Sequence, residues 1–516
     1  TSCHDRPWGA LAIVDRRLGL DGPDPVLHMW PADARRLMAR QGNQQYGFDN
    51  FKQVQPKYED PYPLDESFFL CSRMTGQGEQ MGIYLIDVFG NEICLHTEAQ
   101  GCFDPMPLGP KARPGVVPNR RNFNEGTGAV YVTNVYEGTH MEGVAPGTVK
   151  TLRVVESPEK RFWVPSASWG GQGQENPAVA WHDFNNKRII GTVPVETDGS
   201  VYFEMPADTW VYFQLLDEKG MMVQSMRSGM IVQPGETIGC VGCHDNRHKA
   251  PLVAQTHMPM AMRAKPKKLK DWYGPPRLFD YMAEVQPVFD KHCVSCHDYG
   301  KKGSEKLVLA GDRTHTFNTS YNELWRKKYI KALGAGPEIM MPAYGWGSHT
   351  SKMMKTLLKG HNDVQLDPES FDRLVTWIDI NGPYYATYAS AYPHNLSGRS
   401  PLTKKQVVRL TKLTGVPFFN LARHTSNKGP QVSFDRPELS PCLSTFADKS
   451  DPAYVESLGI ITAGADMLRL MPRADMEGFV AWETDQKRQA KYVRREQIER
   501  DNRQAIQANL KQYDKP

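Results

Sequence analysis

The sequence contains no long hydrophobic run. A membrane-spanning helix requires an apolar stretch of about 20 residues. No apolar stretch in the 516 residues approaches that length, so we expect no membrane span. It also shows no recognisable export signal, because Thr1 begins within what reads as folded sequence. We therefore expect a processed or truncated form of a longer protein.

A strong excess of charge is missing as well. Lys and Arg number 62 against 58 Asp and Glu, which leaves a net charge of +4 at pH 7. This balance gives no indication of nucleic-acid binding, which usually depends on a strongly basic surface. Hydrophobic residues make up 40% and charged residues 23%, as in an ordinary folded protein, and the length predicts about three or four domains.

Cysteine is scarce, yet four of the nine cysteines form two copies of the pattern Cys-x-x-Cys-His. The first copy contains Cys240, Cys243 and His244. The second contains Cys293, Cys296 and His297. Two thiols three positions apart can add to both vinyl groups of one porphyrin, and the adjoining imidazole can reach the iron. Each copy therefore predicts a covalently attached haem c.

Other uses of these cysteines are structural zinc and a redox dithiol, but neither requires a His directly after the second Cys. The remaining cysteines are odd in number, which argues against a complete disulfide framework; they are Cys3, Cys71, Cys94, Cys102 and Cys442. Because haem c is attached outside the cytoplasm, we expect a periplasmic or equivalent extracytoplasmic location.

The pattern of apolar residues predicts a β-rich N-terminal half followed by a mainly helical part. Residues 1–112 read as a partial β-propeller with too few blades to close a ring. Residues 113–275 read as a β-sandwich-like middle domain, with hairpin turns at 197–199 and 217–220, whose last strand leads to the first haem motif.

Helical periodicity begins after Pro266. Residues 276–392 are predicted to form a mainly α, cytochrome c-like domain that carries the second haem, with a last helix stopped at Asn381-Gly382-Pro383. Residues 393–516 are predicted to form an α-helical C-terminal extension. It ends in a long charged helix that reads as a solvated arm.

With both motifs placed, the chain resembles the hydrazine synthase alpha subunit family, including its planctomycete members. The runs that carry the resemblance are PWGALAIVD, GIYLIDVFGNE, CFDPMPL, ETDGSVYFEMPAD, GCVGCHDNR, EVQPVFDKHCVSCHD, RLVTWIDINGPYY and PRADMEGF. They span most of the chain in the family's order. The resemblance implies a complete propeller ahead of these domains, and it explains the missing blades.

The resemblance implies an oxidoreductase that acts on small nitrogen compounds, joining hydroxylamine and ammonia into hydrazine. The haem on Cys240 and Cys243 would be the catalytic one, and the haem on Cys293 and Cys296 would transfer electrons. Sister subunits of a multihaem complex are the implied partners, and the anammoxosome is the implied compartment in an anammox organism. The alternative is a non-catalytic electron-transfer dihaem subunit.

An electron-transfer haem needs both axial positions of the iron filled. His297 is the expected proximal ligand of the second haem, and His315, His349, His361 and Met341 are the distal candidates. His361 ends a helix beside a turn and matches the family's distal position. Met341 precedes Pro342 and resembles the Met-Pro pair of small cytochromes c. We favour His361.

At the first haem, the family's motif His binds zinc and a Tyr four residues later binds iron. In this chain the motif His is His244, but position 248 is His248 rather than Tyr. Either His248 replaces the Tyr, or His244 binds iron and His248 is a surface group. We favour the second, because a His in a polar loop is commonly just solvated. The family's zinc also takes a propeller Cys, for which Cys3 is the candidate and Cys102 its competitor.

Overall fold

The computed structural model describes residues 9–19, 23–38, 54–76, 78, 80–115, 120–138, 140–162, 186–243, 258–333, 341–421 and 428–510. The chain divides into two compact units, one up to residue 118 and the other from residue 119. The predicted division into four domains, with boundaries at 112, 275 and 392, stays a prediction.

The first unit is made of β-strands. They are β1 (Leu11–Val14), β2 (Val26–Trp30), β3 (Tyr58–Pro63), β4 (Phe68–Met74), β5 (Met81–Asp87) and β6 (Glu92–Thr97). Strands β1 and β2 pair with each other, whereas β3, β4, β5 and β6 form an antiparallel sheet in chain order. The β-structure expected from the alternating apolar residues is confirmed.

The turn between β5 and β6 shows why the chain reverses there. One oxygen of the Asp87 carboxylate accepts hydrogen bonds from the backbone N–H groups of Phe89 and Asn91, each at 2.9 Å. Gly90 has a φ of 97°, which a residue with a Cβ rarely adopts. Asp87 and Gly90 together therefore stabilise the turn that connects β5 to β6.

The β-strands of the second unit form two sheets. They are β7 (Thr127–Val132), β8 (Thr151–Glu156), β9 (Arg188–Pro194), β10 (Val201–Pro206), β11 (Val211–Leu216), β12 (Met222–Ser225) and β13 (Thr237–Cys240). One sheet has the order β10-β7-β13, and the other has the order β12-β11-β8-β9. Buried side chains from both sheets, such as Phe203 and Phe213, share one hydrophobic cluster.

The two predicted hairpins of this region have different outcomes. Residues 217–220 do join the paired antiparallel strands β11 and β12, so that hairpin is confirmed. Residues 197–199 form a tight turn, but β9 pairs with β8 and β10 pairs with β7, so the predicted hairpin is wrong. The local turn signal indicates that the chain reverses. It does not indicate which strand becomes the partner, because that depends on the shared core.

The helices follow in the second unit. They are α1 (Tyr281–Glu284), α2 (Gln286–His292), α3 (Val294–His297), α4 (Thr319–Arg326), α5 (Lys352–Leu358), α6 (Pro368–Asp379), α7 (Lys404–Thr414), α8 (Phe418–Leu421), α9 (Pro452–Leu470) and α10 (Glu483–Gln507). None of these described helices is both long and apolar enough to cross a bilayer. The change from strands to helices is confirmed.

Helix α6 joins the helical part to the β-sheets. The Arg153 guanidinium, which is 1% exposed, donates to the Thr376 hydroxyl at 2.7 Å. The Gln214 side-chain amide donates to the backbone carbonyl of Asp379 at 2.6 Å. Asn381 and Gly382 follow with φ values of 73° and 62°, which end the helix as predicted.

Helix α10 confirms the prediction of a long, charged and largely solvated helix. Although most of its side chains are exposed, Glu496 forms an ion pair with Arg161, and Arg503 forms another with Asp208. These partners lie next to β8 and β10. Charged side chains of the helix therefore contact the segments that follow β8 and β10, contacts that its thin apolar stripe does not predict.

Candidate haem-binding sites

The first Cys-x-x-Cys-His motif begins at the end of β13. This strand pairs in parallel with β7, and Cys240 lies opposite Val132. Beyond the strand, the backbone N–H of Thr133 donates to the Cys240 carbonyl at 2.9 Å, and the N–H of Cys243 donates to the Glu137 carbonyl at 2.8 Å. Both cysteines are therefore held by hydrogen bonds to the segment that follows β7.

Glycines allow this close approach of the two segments. A Cβ at Gly242 would lie 2.2 Å from the Glu137 carbonyl oxygen, and one at Gly239 would lie 2.1 Å from the Tyr131 ring. Neither distance is compatible with a side chain in this conformation. Gly242 is thus a structural requirement of the motif and not only a spacer between the cysteines.

The two cysteines of the first motif are half-buried and pack against the hydrophobic cluster that the two sheets share. An apolar wall of this kind suits the face of a porphyrin. The predicted ligands His244 and His248 lie outside the described residues, and so does Cys3. Their roles stay predictions.

The second motif lies where two helices meet. Helix α2 ends at His292, Cys293 follows it, and α3 contains Cys296 and His297. Burial, together with the neighbouring Cys296, raises the pKa of the Cys293 thiol to about 11, so this group is protonated at neutral pH. A helix thus leads directly into the second motif, as its helical periodicity predicts, and a second short helix begins after Cys293.

His297 has a defined tautomer in this arrangement. Its Nδ1 lies 2.8 Å from the backbone carbonyl oxygen of Leu307. Because a carbonyl oxygen can only accept, Nδ1 carries the proton and Nε2 has its lone pair available for a metal. Histidine ligands of metals usually donate their second ring N–H in this way. Leu307 contributes through its backbone carbonyl, which no side-chain pattern in the sequence predicts.

A glycine also makes room beside His297. A Cβ at Gly303 would lie 2.7 Å from Nδ1 of His297 and 2.6 Å from the Cys296 carbonyl oxygen. The loop after the motif can therefore close over the imidazole only with glycine at this position.

His361 faces His297. Their ring centroids lie 6.0 Å apart, with an angle of 34° between the ring planes. A metal–imidazole bond is about 2 Å long and the ligating nitrogen lies about 1 Å from its ring centroid, so two imidazoles on one metal have centroids about 6 Å apart. The turn after α5, with φ values of 88° at Gly360 and 47° at Asn362, holds His361 in this position.

The other distal candidates have different surroundings. Met341 belongs to a small cluster with Leu216, Met222 and Trp346. His349 lies 3.0 Å from the Asp217 carboxylate. The structure thus brings His361 to His297, and it gives these two candidates other contacts.

His315 is buried between two aromatic rings. Its Nδ1 lies 2.9 Å from the Ser400 hydroxyl, and its ring contacts Phe418 and Phe434 with centroid distances of 5.2 and 5.5 Å. Burial, together with the charge of Arg473, lowers the pKa of His315 to about 3. The imidazole is therefore neutral at physiological pH and forms part of the core.

Cys102 lies in the first unit beside two further donors. The ligand atoms of His96, Glu98 and Cys102 all lie within 4.8 Å of one another, and Nε2 of His96 is 3.0 Å from a Glu98 oxygen. Imidazole, carboxylate and thiolate are the donors that zinc prefers. Of these three residues, only Cys102 is predicted from the sequence. His96 and Glu98 lie two residues apart at the end of a strand, and this spacing places both side chains on one face.

Comparison with known proteins agrees with the predicted family. Residues 147–245, within the predicted middle domain, match the family described as the hydrazine synthase alpha subunit middle domain. The chain is 23% identical over 266 residues to hydrazine synthase subunit alpha of Kuenenia stuttgartiensis, a match that covers 40% of this chain and 33% of that protein. The solved structure of Kuenenia stuttgartiensis hydrazine synthase aligns with a TM-score of 0.48 and 18% identity, covering 64% of this chain and 55% of that one.

The chain therefore carries a middle domain of the hydrazine synthase alpha subunit type, which confirms the predicted family resemblance. It spans about a third of the length of the curated relative.

Proposed function

We propose that the chain is a dihaem c-type cytochrome and an oxidoreductase subunit related to hydrazine synthase, acting on small nitrogen compounds. The observation that carries the haem proposal is the second motif. There, Cys293 and Cys296 stand beside His297, whose Nε2 is available, and His361 lies at the distance expected of a second axial ligand.

The residues of the second motif have separate roles in this proposal. Cys293 and Cys296 would hold the porphyrin through thioether bonds, and His297 and His361 would bind the iron. The Leu307 carbonyl fixes the proton on Nδ1 of His297 and so orients the ring. An iron held by two protein side chains would rearrange little on reduction and would supply electron transfer.

The first motif is assigned the catalytic role, following the family to which the middle domain is related. Cys240 and Cys243 would hold the haem at the end of β13, and His244 or His248 would bind the iron. Such a haem would supply redox chemistry to a small nitrogen substrate.

Zinc is the second proposed cofactor. Cys3 and His244 are the ligands that the family implies. His96, Glu98 and Cys102 form a described set with three suitable donors, which leaves a fourth position for water. Zinc analysis of the Cys3→Ser and Cys102→Ser variants separates the two, because only the variant that lacks a true ligand loses the metal.

The proposal includes an extracytoplasmic location, where haem c is attached, and sister subunits that exchange electrons with the chain. The competing function is an electron-transfer subunit without a substrate site. It differs from the first proposal at the first haem, where it requires two axial ligands instead of one.

Two measurements test the function. Covalent haem survives extraction with acid–acetone, so the Soret band should remain with the protein, at about two haems per chain. Electron paramagnetic resonance should then show one high-spin and one low-spin ferric centre. Two low-spin centres would support the electron-transfer subunit, and loss of the Soret band on extraction would refute both functions.

A further inference from the structure

The C-terminal segment places an arginine beside the second haem motif. The Arg436 guanidinium donates two hydrogen bonds to the carboxylate of Asp298, at 2.8 and 2.7 Å. It also donates to both oxygens of the Asp312 carboxylate, one of them at 2.8 Å through Nε. One arginine side chain thus bridges two carboxylates that lie 14 positions apart in the sequence, with the planar geometry that favours such pairs.

The two carboxylates lie at the two ends of the loop that holds His297. Asp298 directly follows His297. The loop then supplies the Leu307 carbonyl, which accepts from the imidazole, and it reaches Asp312 five residues later. The backbone N–H of Leu309 also donates to the His297 carbonyl at 2.8 Å. Arg436 therefore connects both ends of the segment that orients this imidazole.

Further contacts keep Arg436 in place. The Ser433 hydroxyl donates to the Asp312 carboxylate at 2.7 Å. The Arg436 guanidinium carbon lies over the Tyr299 ring, 5.3 Å from the ring centroid. The Asp312 side chain is 4% exposed and that of Asp298 20%, so water screens these charges poorly.

We propose that Arg436 is a positioning residue for the second haem, which orients His297 through this loop and sets the reduction potential by neutralising Asp298 and Asp312. The inference rests on the proposed haem at Cys293 and Cys296. Ferric haem carries one more positive charge than ferrous haem, so uncompensated carboxylates nearby favour the ferric state. The C-terminal segment would thereby tune electron transfer in a domain to which it does not contribute a ligand.

Two substitutions with opposite expected effects test the proposal in the full-length holoprotein. Arg436→Gln leaves two uncompensated carboxylates and should lower the midpoint potential of the low-spin haem. Asp298→Asn removes one negative charge and should raise it. Each change should shift the ratio of ferrous to ferric haem at a fixed potential by about tenfold, which is the effect of one unit charge about 10 Å away at an effective dielectric constant of about 20.

The matched control is Arg409→Gln, which breaks an exposed ion pair with Glu456 in the same C-terminal segment. It should leave the midpoint potential unchanged. The readout is a redox titration followed through the low-spin electron paramagnetic resonance signal, because this signal reports the second haem separately from the first.

Shifts of opposite sign support the proposal. Shifts in the same direction would indicate general loosening of the loop and would overturn it, and so would potentials equal to that of the control. If Arg436→Gln does not accumulate with haem, Asp298→Asn decides alone: a raised potential supports the proposal, and an unchanged one overturns it. Absence of covalent haem at Cys293 in the unaltered protein would instead refute the proposed function.

Discussion

The two Cys-x-x-Cys-His motifs have the same residue spacing but different structural supports. The first extends a parallel strand, and backbone hydrogen bonds to the segment after β7 hold it in place. The second lies at a junction of two helices, where side chains and a loop carbonyl surround His297. The same spacing of two cysteines and a histidine thus occurs in a β-setting and in a helical setting within one chain.

The difference shows what each support can control. Backbone pairing at the first motif fixes where Cys240 and Cys243 lie. At the second motif, the described structure also orients the His297 imidazole and brings the His361 ring within 6.0 Å of it, measured between ring centroids. The second motif therefore shows side-chain as well as backbone support.

Removal of the attachment cysteines should have the largest effect on this comparison. The double variants Cys240→Ser/Cys243→Ser and Cys293→Ser/Cys296→Ser should each lose about half of the covalent haem, because each pair forms the two thioether bonds of one porphyrin. Haem content after acid–acetone extraction and intact mass measure the loss. Cys94→Ser, at an exposed thiol outside both motifs, should keep the full content. If either double variant kept all of its haem, the assignment of that motif would be wrong.

Substitution of the glycine beside one motif should reduce haem binding at that motif alone. Gly242→Ala places a methyl group 2.2 Å from the Glu137 carbonyl oxygen, and Gly303→Ala places one 2.7 Å from Nδ1 of His297. Such crowding costs about 1–3 kcal/mol, so each variant should reduce haem occupancy at its own motif only. Peptide mapping of haem-bearing fragments measures the two occupancies.

The control for both glycine variants is Gly459→Ala, within α9, where a Cβ meets no atom within 4 Å. It should be neutral or stabilise the helix by about 0.5–1 kcal/mol. Loss of haem at both motifs in Gly242→Ala would mean that the two regions do not fold independently of each other.

Substitution of the distal ligand should change the spin state without removing haem. His361→Ala should convert the low-spin ferric signal of the second haem to a high-spin one, because one axial position opens. Met341→Leu should leave the signal intact, since Met341 packs with Trp346 and the volume is conserved. The reverse outcome would identify Met341 as the ligand and His361 as a surface residue.

The smallest expected effect is a loss of folding stability at acidic pH, caused by His315. The folded-state pKa of His315 is about 3, below its ordinary value of 6.5, so the unfolded chain binds a proton below pH 6.5 that the folded chain excludes. The stability contributed by the neutral imidazole is therefore lost as the pH falls from 6.5 toward 3. Between pH 7 and pH 5, protonation of His315 in the unfolded chain should lower the free energy of unfolding by about 2 kcal/mol.

Comparison with His315→Gln checks that expectation. The glutamine does not titrate, so the variant should lose less stability than the unaltered protein over the same pH range. Denaturant midpoints at pH 7 and 5 measure the difference, with the helical signal as the probe. Equal losses in the two proteins would assign the acid sensitivity to other groups.

Local sequence determined the features that depend on spacing. The two motifs, the change from strands to helices, and the helix end at Asn381-Gly382 follow from the chemistry of neighbouring residues, and they were predictable. The family resemblance was predictable for the same reason, because its runs can be read without knowing what they contact. The helix that leads into the second motif was predictable from its apolar periodicity, whereas the short interruption at Cys293 is a feature of the folded structure.

Tertiary structure decided which distant segments meet. The pairing of β13 with β7 and the separation of β9 from β10 into two sheets depend on a shared core, and the ion pairs of α10 with Arg161 and Asp208 join segments far apart in the sequence. The approach of His361 to His297, and of Arg436 to Asp298, joins residues 64 and 138 positions apart. Sequence patterns report the preferences of neighbouring residues, whereas such contacts arise because burial of apolar surface brings remote segments together.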